Sequence, residues 1–294
     1  MGGTSGIGES TAREFIRHTF KPRVYLVGRN AEQAASLKTE FQQINPESSV
    51  QFIQNDVSIL RNVDKVCDEI KSKEDKINLL VLSAGIMTAK GRDETIEGLD
   101  KKLSLHYYSR LRFAQNLLPL LNAAANPETK APTSVISTLG AGLEDTINMS
   151  DLSLKSNYSL SACGTHAITM NTLSFQHLAS QNSKISFIHT QPGGVSGTNL
   201  LRGYPGFIYA LMYVAGSTVL RLWVMSVKEC GERHVWAGMA ARFTEGQAIL
   251  IGPKGAKTGN VKTLEKLKQD GVEGKVWDHT MEVFEKVCDK NEKY

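Results

Sequence analysis

Short uncharged runs alternate with longer stretches of helical periodicity along most of the chain. Val24-Tyr25-Leu26-Val27, closed by Gly28, is the first such run and suits a strand buried on both faces. Helical spacing follows from Ala31 to Ile44. Val50-Gln51-Phe52-Ile53 is the next predicted strand, and Val63, Val66, Cys67 and Ile70 mark one face of the helix after it. Ile77 to Leu82 reads as another buried strand, and a long helix is expected from about Gly98 to Leu121. The strand Ser134-Val135-Ile136, a helix from about Ser161 to Ala179 and the strand Ile185 to His189 come next. Ala248 to Ile251 is the last strand, stopped by Gly252-Pro253. The tail from Lys254 to Gly274 is polar and reads as loop before a final helix near Trp277 to Val287. Strands alternating with helices of this length predict an α/β fold, a doubly wound parallel sheet with helices on both faces. With no repeat, low-complexity tract or clear linker, residues 1–294 are expected to form one domain.

Composition changes this picture little. Of 294 residues 41% are hydrophobic and 22% charged, which supports a buried core and excludes a disordered chain. The net charge is only +4, with no basic run or aromatic-interleaved patch, so nucleic acid is not an expected partner. Cys67, Cys163, Cys230 and Cys288 are scattered and form no CxxC pair. They read as reduced thiols in a cytoplasmic setting, neither a disulfide framework nor a metal site. Phe207 to Leu220 is uncharged but shorter than the roughly 20 residues a spanning helix needs. It fits a buried or pocket-lining helix, or one resting on a membrane surface, and no transmembrane span is expected.

The sharpest motif opens the chain: Gly2-Gly3-Thr4-Ser5-Gly6-Ile7-Gly8, with helical spacing from Glu9 onward. Glycines at 2, 6 and 8 let the backbone turn tightly and approach a pyrophosphate, which the next helix meets with unpaired N–H groups and its positive dipole end. The strand that normally precedes such a loop is missing. Its absence would leave ladder groups unpaired on both neighbours. Two expectations follow: the sequence starts inside a longer reading frame, or another segment fills the slot.

With those residues in view, the chain resembles the short-chain dehydrogenase/reductase family over nearly its whole length. Gly2, Gly6 and Gly8 match the family's glycine motif, and Asp56-Val57 matches its Asp-Val after the third strand, implying contact with the adenine. Leu82-Ser83-Ala84-Gly85 keeps half of the family's Asn-Asn-Ala-Gly. Pro192-Gly193, with Val195 and Thr198, matches the Pro-Gly motif that flanks the nicotinamide. The resemblance implies a Rossmann-like fold and cofactor contacts from Gly2, Thr4, Ser5, Gly6, Ile7, Gly8, Ala84 and Gly85 as well. Cys230-Gly231-Glu232-Arg233-His234 is similar to fungal secondary-metabolism members. Gly28-Arg29-Asn30 bears on the cofactor: an acidic residue there would bind a ribose 2′-hydroxyl, whereas Arg29 can pair with a 2′-phosphate. NADP(H) is therefore favoured; the alternative is that Arg29 is a solvated loop charge.

Active family members use Ser, Tyr and Lys, with an Asn on the preceding long helix. Tyr158 matches the tyrosine, which exchanges a proton with the substrate oxygen. Four residues on stands Ala162 where the family has lysine, and the helix beyond fits two residues out of register. Thr138, with Ser137 beside it, matches the serine, and His106 stands at the asparagine position. Lys155, His106 or His166 could replace the missing cation, and each also has a plain structural reading; Tyr158 itself is catalytic or a packing residue. Leu200 to Val227, with Tyr204, Phe207, Tyr209, Tyr213 and Trp223, reads as a substrate cover suited to a bulky hydrophobic molecule, or as a dimer or core helix. The expected function is an NADP(H)-dependent carbonyl reductase or alcohol dehydrogenase acting on a lipophilic metabolite, in a possible homo-oligomer. The alternatives are a non-redox enzyme such as a cyclase or isomerase, and an inactive cofactor-binding protein.

Overall fold

The computed structural model describes residues 1–125, 131–198, 224–240 and 248–294. Six of the apolar runs pair as parallel strands. Arg23–Gly28 (β1) pairs with Ser49–Gln54 (β2), with Leu26 opposite Phe52. Leu79–Leu82 (β3), Ser134–Thr138 (β4), Ser186–Thr190 (β5) and Ala248–Ile251 form a four-stranded sheet in that order. Every residue of β4 and β5 is buried, which is why these runs hold no Asp, Glu, Lys or Arg. The two-residue strands Val195–Ser196 (β6) and Met225–Ser226 (β7) pair apart from the main sheets, so Ala248–Ile251 is β8.

Helices cover both faces. On one side lie Leu60–Lys71 (α3), the long helix Lys101–Leu103 (α4) with its widened turn Ser104–Tyr108 and continuation Ser109–Ala124 (α5), and Leu160–Gln181 (α6). Val63, Val66, Leu117 and Met170 there join Leu82, Val135 and Phe187 in one core. On the other side lie Gly6–His18 (α1), Ala31–Ile44 (α2) and Val227–Met239 (α7). Ile136, Ile188 and Ile249 pack against α7 through Ala237, while Ile16, Leu26 and Phe41 form a third cluster. Alternate residues of each strand thus feed opposite cores, as the period of two requires. Among the described residues no helix is long and apolar enough to cross a membrane. The uncharged stretch 207–220 lies outside them.

Met1 to Gly3 lie between β1 and β3. The Met1 amine donates to the Val81 carbonyl at 2.9 Å, and the Ser83 N–H donates back to the Met1 carbonyl at 3.2 Å. On the other side the Gly2 N–H donates to the Val27 carbonyl at 2.9 Å. Among the described residues no strand pairs with both β1 and β3, so these few residues carry the backbone hydrogen bonds across the gap while side chains of both halves share one core. Burial, helped by the charge of Arg110, pushes the Met1 amine down to about 5.

Several boundaries differ from expectation. Ile77 donates its N–H to the Leu120 carbonyl at 3.0 Å, so β3 begins only at Leu79. The long helix begins after Asp100, whose carboxylate caps the N–H groups of Lys102 and Leu103, and it continues past Pro119 to Ala124. The polar tail is not all loop. Val261–Gln269 forms a helix (α8) capped by Asn260, and Val272–Phe284 (α9) starts five residues before the expected Trp277. Only Leu267 of α8 is buried, so its apolar stripe is too thin to announce itself in the sequence.

Helices α1 and α7 approach closely because position 231 carries no side chain. A Cβ at Gly231 would sit 2.5 Å from Ser10 Oγ and 2.7 Å from the Ser10 backbone. Gly231→Ala should therefore destabilise the fold by about 1–3 kcal/mol despite alanine's better helix propensity, read as a lower urea midpoint. A neutral or stabilising result would contradict the contact.

Histidines set the acid limit of the fold. Burial, with Arg110 adding to it, pushes His106 and His189 down from 6.5 to about 3. Burial and the Lys155 charge push His279 down to about 4. Each must stay neutral in the fold, while the unfolded chain takes up a proton once the pH drops below the ordinary value. Stability is therefore full above that value and drains as the pH falls toward the folded ones. Urea titrations between pH 7 and 5 should show a loss approaching about 1.4 kcal/mol per pH unit for each such histidine. A flat profile would refute their neutral burial.

Candidate active site

A cleft of about 840 Å³ opens where β1 and β3 diverge around the N-terminus of α1. This is the point at which the strand order of an open parallel sheet reverses, where such sheets bind ligands. Gly2 adopts φ +76°, and a Cβ there would lie 2.6 Å from the Ala84 nitrogen, so only glycine fits. Thr4, Ser5, Gly6 and Ile7 line the cleft next to it. Ser5 caps α1 in extended conformation, but its side chain makes no capping bond. The first N–H groups of the helix are thus left for an anion. Gly8 is the exception among the expected cofactor residues: it is not part of the cleft wall. A side chain there would collide with Ser83 Oγ and the Gly2 carbonyl, so its role is to let α1 pack against the loops.

At one end of the cleft stand Arg29, exposed at the rim after β1, and Asp56 with Val57 after β2. Asp56 accepts a hydrogen bond from the Ser58 N–H at 3.0 Å. No ion pair engages Arg29 among the described residues, and its carbonyl accepts from Gln54 at 3.0 Å. At the other end, Ala84, Gly85 and Leu105 face Pro192, Gly193, Val195 and Thr198. Glycines that bare the backbone, an open helix N-terminus and an unpaired arginine make a cradle that fits a phosphorylated dinucleotide.

The expected proton-handling residues sit apart from this wall: neither Ser137, Thr138 nor Tyr158 lines the cleft. Ser137 is committed on both sides. Its hydroxyl donates to Asn171 Oδ1 and accepts from Arg110, each at 2.9 Å. Thr138 Oγ1 is buried without a hydrogen-bond partner, and the buried Tyr158 hydroxyl has no nitrogen or oxygen partner and interacts with the Cys163 thiol. Tyr158 stands on the loop just before α6, whose N-cap is Ser159, and Ala162 lies in the first turn. Burial, then Cys163 and Asp100, push the tyrosine hydroxyl well above its ordinary value.

The candidate replacements for lysine go elsewhere. Lys155 Nζ lies 4.0 Å over the Tyr294 ring and does not fold onto Tyr158. His166 is tied to the backbone, accepting from Asn148 and contacting the Leu152 carbonyl. His106 Nε2 accepts from the Ile86 N–H at 3.1 Å, bracing the cleft wall from behind. Lys102 Nζ lies 5.4 Å from the Tyr158 ring centroid and donates to the Lys90 and Gly91 carbonyls, while the cation whose charge acts on the hydroxyl is Arg92. Lys102 faces the ring rather than the hydroxyl.

Two further groups escaped the sequence reading. Glu144 is buried and accepts from the Gly142 N–H, the Thr172 hydroxyl and the Asn260 N–H, which holds the loop after β4. Arg110 is 1% exposed and donates to the Leu105, Thr138 and Ala84 carbonyls as well as to Ser137. A lone charge between Tyr107 and Leu111 on a helix that must bury one face was the available signal.

Comparison with known proteins agrees with this geometry. Residues 1–204 match the family described as short chain dehydrogenase. The oxidoreductase AN1596 of Emericella nidulans is 37% identical over 95% of this chain and 90% of its own length. The oxidoreductase andH of Emericella variicolor is 34% identical over 98% of this chain and 90% of its own. An NADPH-bound carbonyl reductase from chicken fatty liver shares the fold, with a TM-score of 0.62 at 17% identity over 88% of this chain and 96% of that one. Sequence, cleft and fold converge: the chain belongs to the short-chain dehydrogenase/reductase family and is an oxidoreductase.

Proposed function

We propose that this oxidoreductase uses NADP(H) and acts on a carbonyl or alcohol of a bulky hydrophobic metabolite. The observation that carries the cofactor choice is Arg29, exposed and without an ion-pair partner among the described residues, at the cleft rim where an NAD-selective site would need a carboxylate. When bound, the nicotinamide supplies or accepts the hydride. This chain's part is to orient it: α1 and the glycine turn take the pyrophosphate, Arg29 the 2′-phosphate, Asp56 and Val57 the adenine, and Ala84, Gly85 and Pro192 to Thr198 the nicotinamide half.

Thr138 and Tyr158 are the groups proposed to meet the substrate oxygen, since the Thr138 hydroxyl has no partner and the Tyr158 hydroxyl has only the weak Cys163 thiol beside it. A tyrosine whose hydroxyl is pushed upward holds its proton more tightly than an ordinary one, so Tyr158 gives that proton slowly and the chemistry it supports is weaker than that of a tyrosine activated by a cation. The aromatic segment 200–227 supports a lipophilic substrate, although 199–223 lie outside the described residues. The resemblance through 230–234 and the fungal origin of both relatives favour a fungal secondary-metabolite pathway. A second reading has its own support: Tyr158 does not line the cleft and has Ala162 where the family carries its lysine, as in a cofactor-binding scaffold without tyrosine chemistry.

Titration of the protein with NADPH and NADH, followed by cofactor fluorescence, tests the first element. NADPH should bind more tightly, and Arg29→Asp should weaken it by about 10–100-fold while sparing NADH, from the loss of one charge-assisted contact. Equal binding of both cofactors would refute the assignment. Turnover of lipophilic ketones with NADPH separates the two readings. Tyr158→Phe should cut kcat by about 10²–10⁴-fold with cofactor affinity unchanged, whereas unaltered turnover would favour the second reading.

A further inference from the structure

Arg110 is a cation without a counter-ion. It lies at the start of α5, almost fully buried, and its four hydrogen-bond partners are the carbonyls of Leu105, Thr138 and Ala84 and the Ser137 hydroxyl, all neutral. No carboxylate pairs with it among the described residues. Burial alone pushes its guanidinium down to about 9, which leaves it charged at neutral pH. Lys102, the next buried cation, differs in having Asp100 3.9 Å from its Nζ.

The position of that charge is specific. Ala84 and Leu105, whose carbonyls it holds, both line the cleft, at the end opposite Arg29 and Asp56. A Cβ built on Gly85, between them in the wall, would be only 3.9 Å from Arg110 Nη2. One layer of backbone therefore separates the guanidinium from the nicotinamide half of the cleft. The same charge reaches His106, His189 and the Met1 amine, opposing protonation of each.

We propose that Arg110 makes the cleft discriminate between cofactor redox states by charge, holding the neutral reduced nicotinamide more tightly than the cationic oxidised one. This rests on the cofactor reading above and deepens it. An unpaired charge about 10 Å away, in a medium of effective dielectric about 20, changes affinity for a unit positive charge by about tenfold. The resting enzyme then carries reduced cofactor, and the oxidised product leaves more readily, as a reductase requires. Arg110 is a positioning and selectivity residue here, acting across the wall and touching neither substrate nor cofactor.

The test compares dissociation constants for NADPH, NADP⁺ and a ring-reduced tetrahydro analogue that is neutral but has no hydride to give. In the unaltered protein NADPH and the analogue should bind alike and NADP⁺ about tenfold more weakly. Arg110→Gln, which removes the charge and keeps a donor, should narrow that gap to within about twofold, mainly by improving NADP⁺; Arg110→Lys should preserve it. If the Gln variant weakens all three ligands together, the role is structural and the proposal fails. Should that variant not fold, the analogue comparison on unaltered protein decides, because equal binding of the three ligands overturns the proposal alone. Absence of saturable binding by any of them overturns the cofactor reading beneath it.

Discussion

The seam between the two sheet halves governs the rest of the molecule. β1 and β3 are held in one surface by the backbone of Met1 and Gly2, through bonds to Val81, Ser83 and Val27. Ser83 adds its hydroxyl to the Met1 carbonyl at 3.1 Å. The residues that make this seam also lead directly into the cleft floor, so sheet geometry and cradle geometry cannot vary independently. Gly2 shows the coupling most directly: the position that bonds to β1 is also the one pressed against Ala84. Any side chain there would push the wall after β3 away from the loop before α1.

Charge is distributed along the cleft in a way that follows from this layout. The exposed Arg29 and the open end of α1 favour anions at one end and in the middle. Behind the other end, Arg110 stands where exposed phosphate cannot reach it, so its field acts on whatever ring charge lies beyond the wall. The neutral His106 and His189 are consequences of burial around that charge. The widened turn Ser104–Tyr108 helps to bring this about. It precedes α5 so that His106 braces Ile86 while Arg110, four residues on, reaches the ends of both β3 and β4.

Much of the fold was legible in the sequence. Strands buried on both faces read as apolar runs, and Ala31–Ile44 and Ala248–Ile251 were recoverable to the residue because capping Asn30 and the Gly252-Pro253 stop are local signals. The cleft was legible for a similar reason, since a left-handed glycine and a helix start are encoded within a few neighbouring positions. What could not be read depends on distant partners. Ile77 looks like strand until Leu120 claims its N–H, α8 hides behind its lysines, and Ser137 looks available until Asn171 and Arg110 occupy its hydroxyl. The direction of Lys155 was likewise set by Tyr294, far along the chain.

The cradle and the proton-handling residues obey different physical rules, and that difference explains why one is intact and the other is not. A cradle glycine is a steric condition with almost no tolerance, because a single methyl group at Gly2 or Gly8 overlaps backbone atoms. Proton transfer instead depends on electrostatic fields that fall off slowly and can be supplied from several directions. Removing a lysine at Ala162 leaves no hole in the packing, since that position lies partly buried against the core. A positive potential near the nicotinamide half can then come from Arg110 on the neighbouring helix, though aimed through the wall and Ser137 rather than at the tyrosine hydroxyl. A charge so placed does not lower the tyrosine's affinity for its proton, which its burial raises. In the role proposed for it, this charge acts on the cofactor ring and so on which redox state the cleft holds, without the usual activated tyrosine.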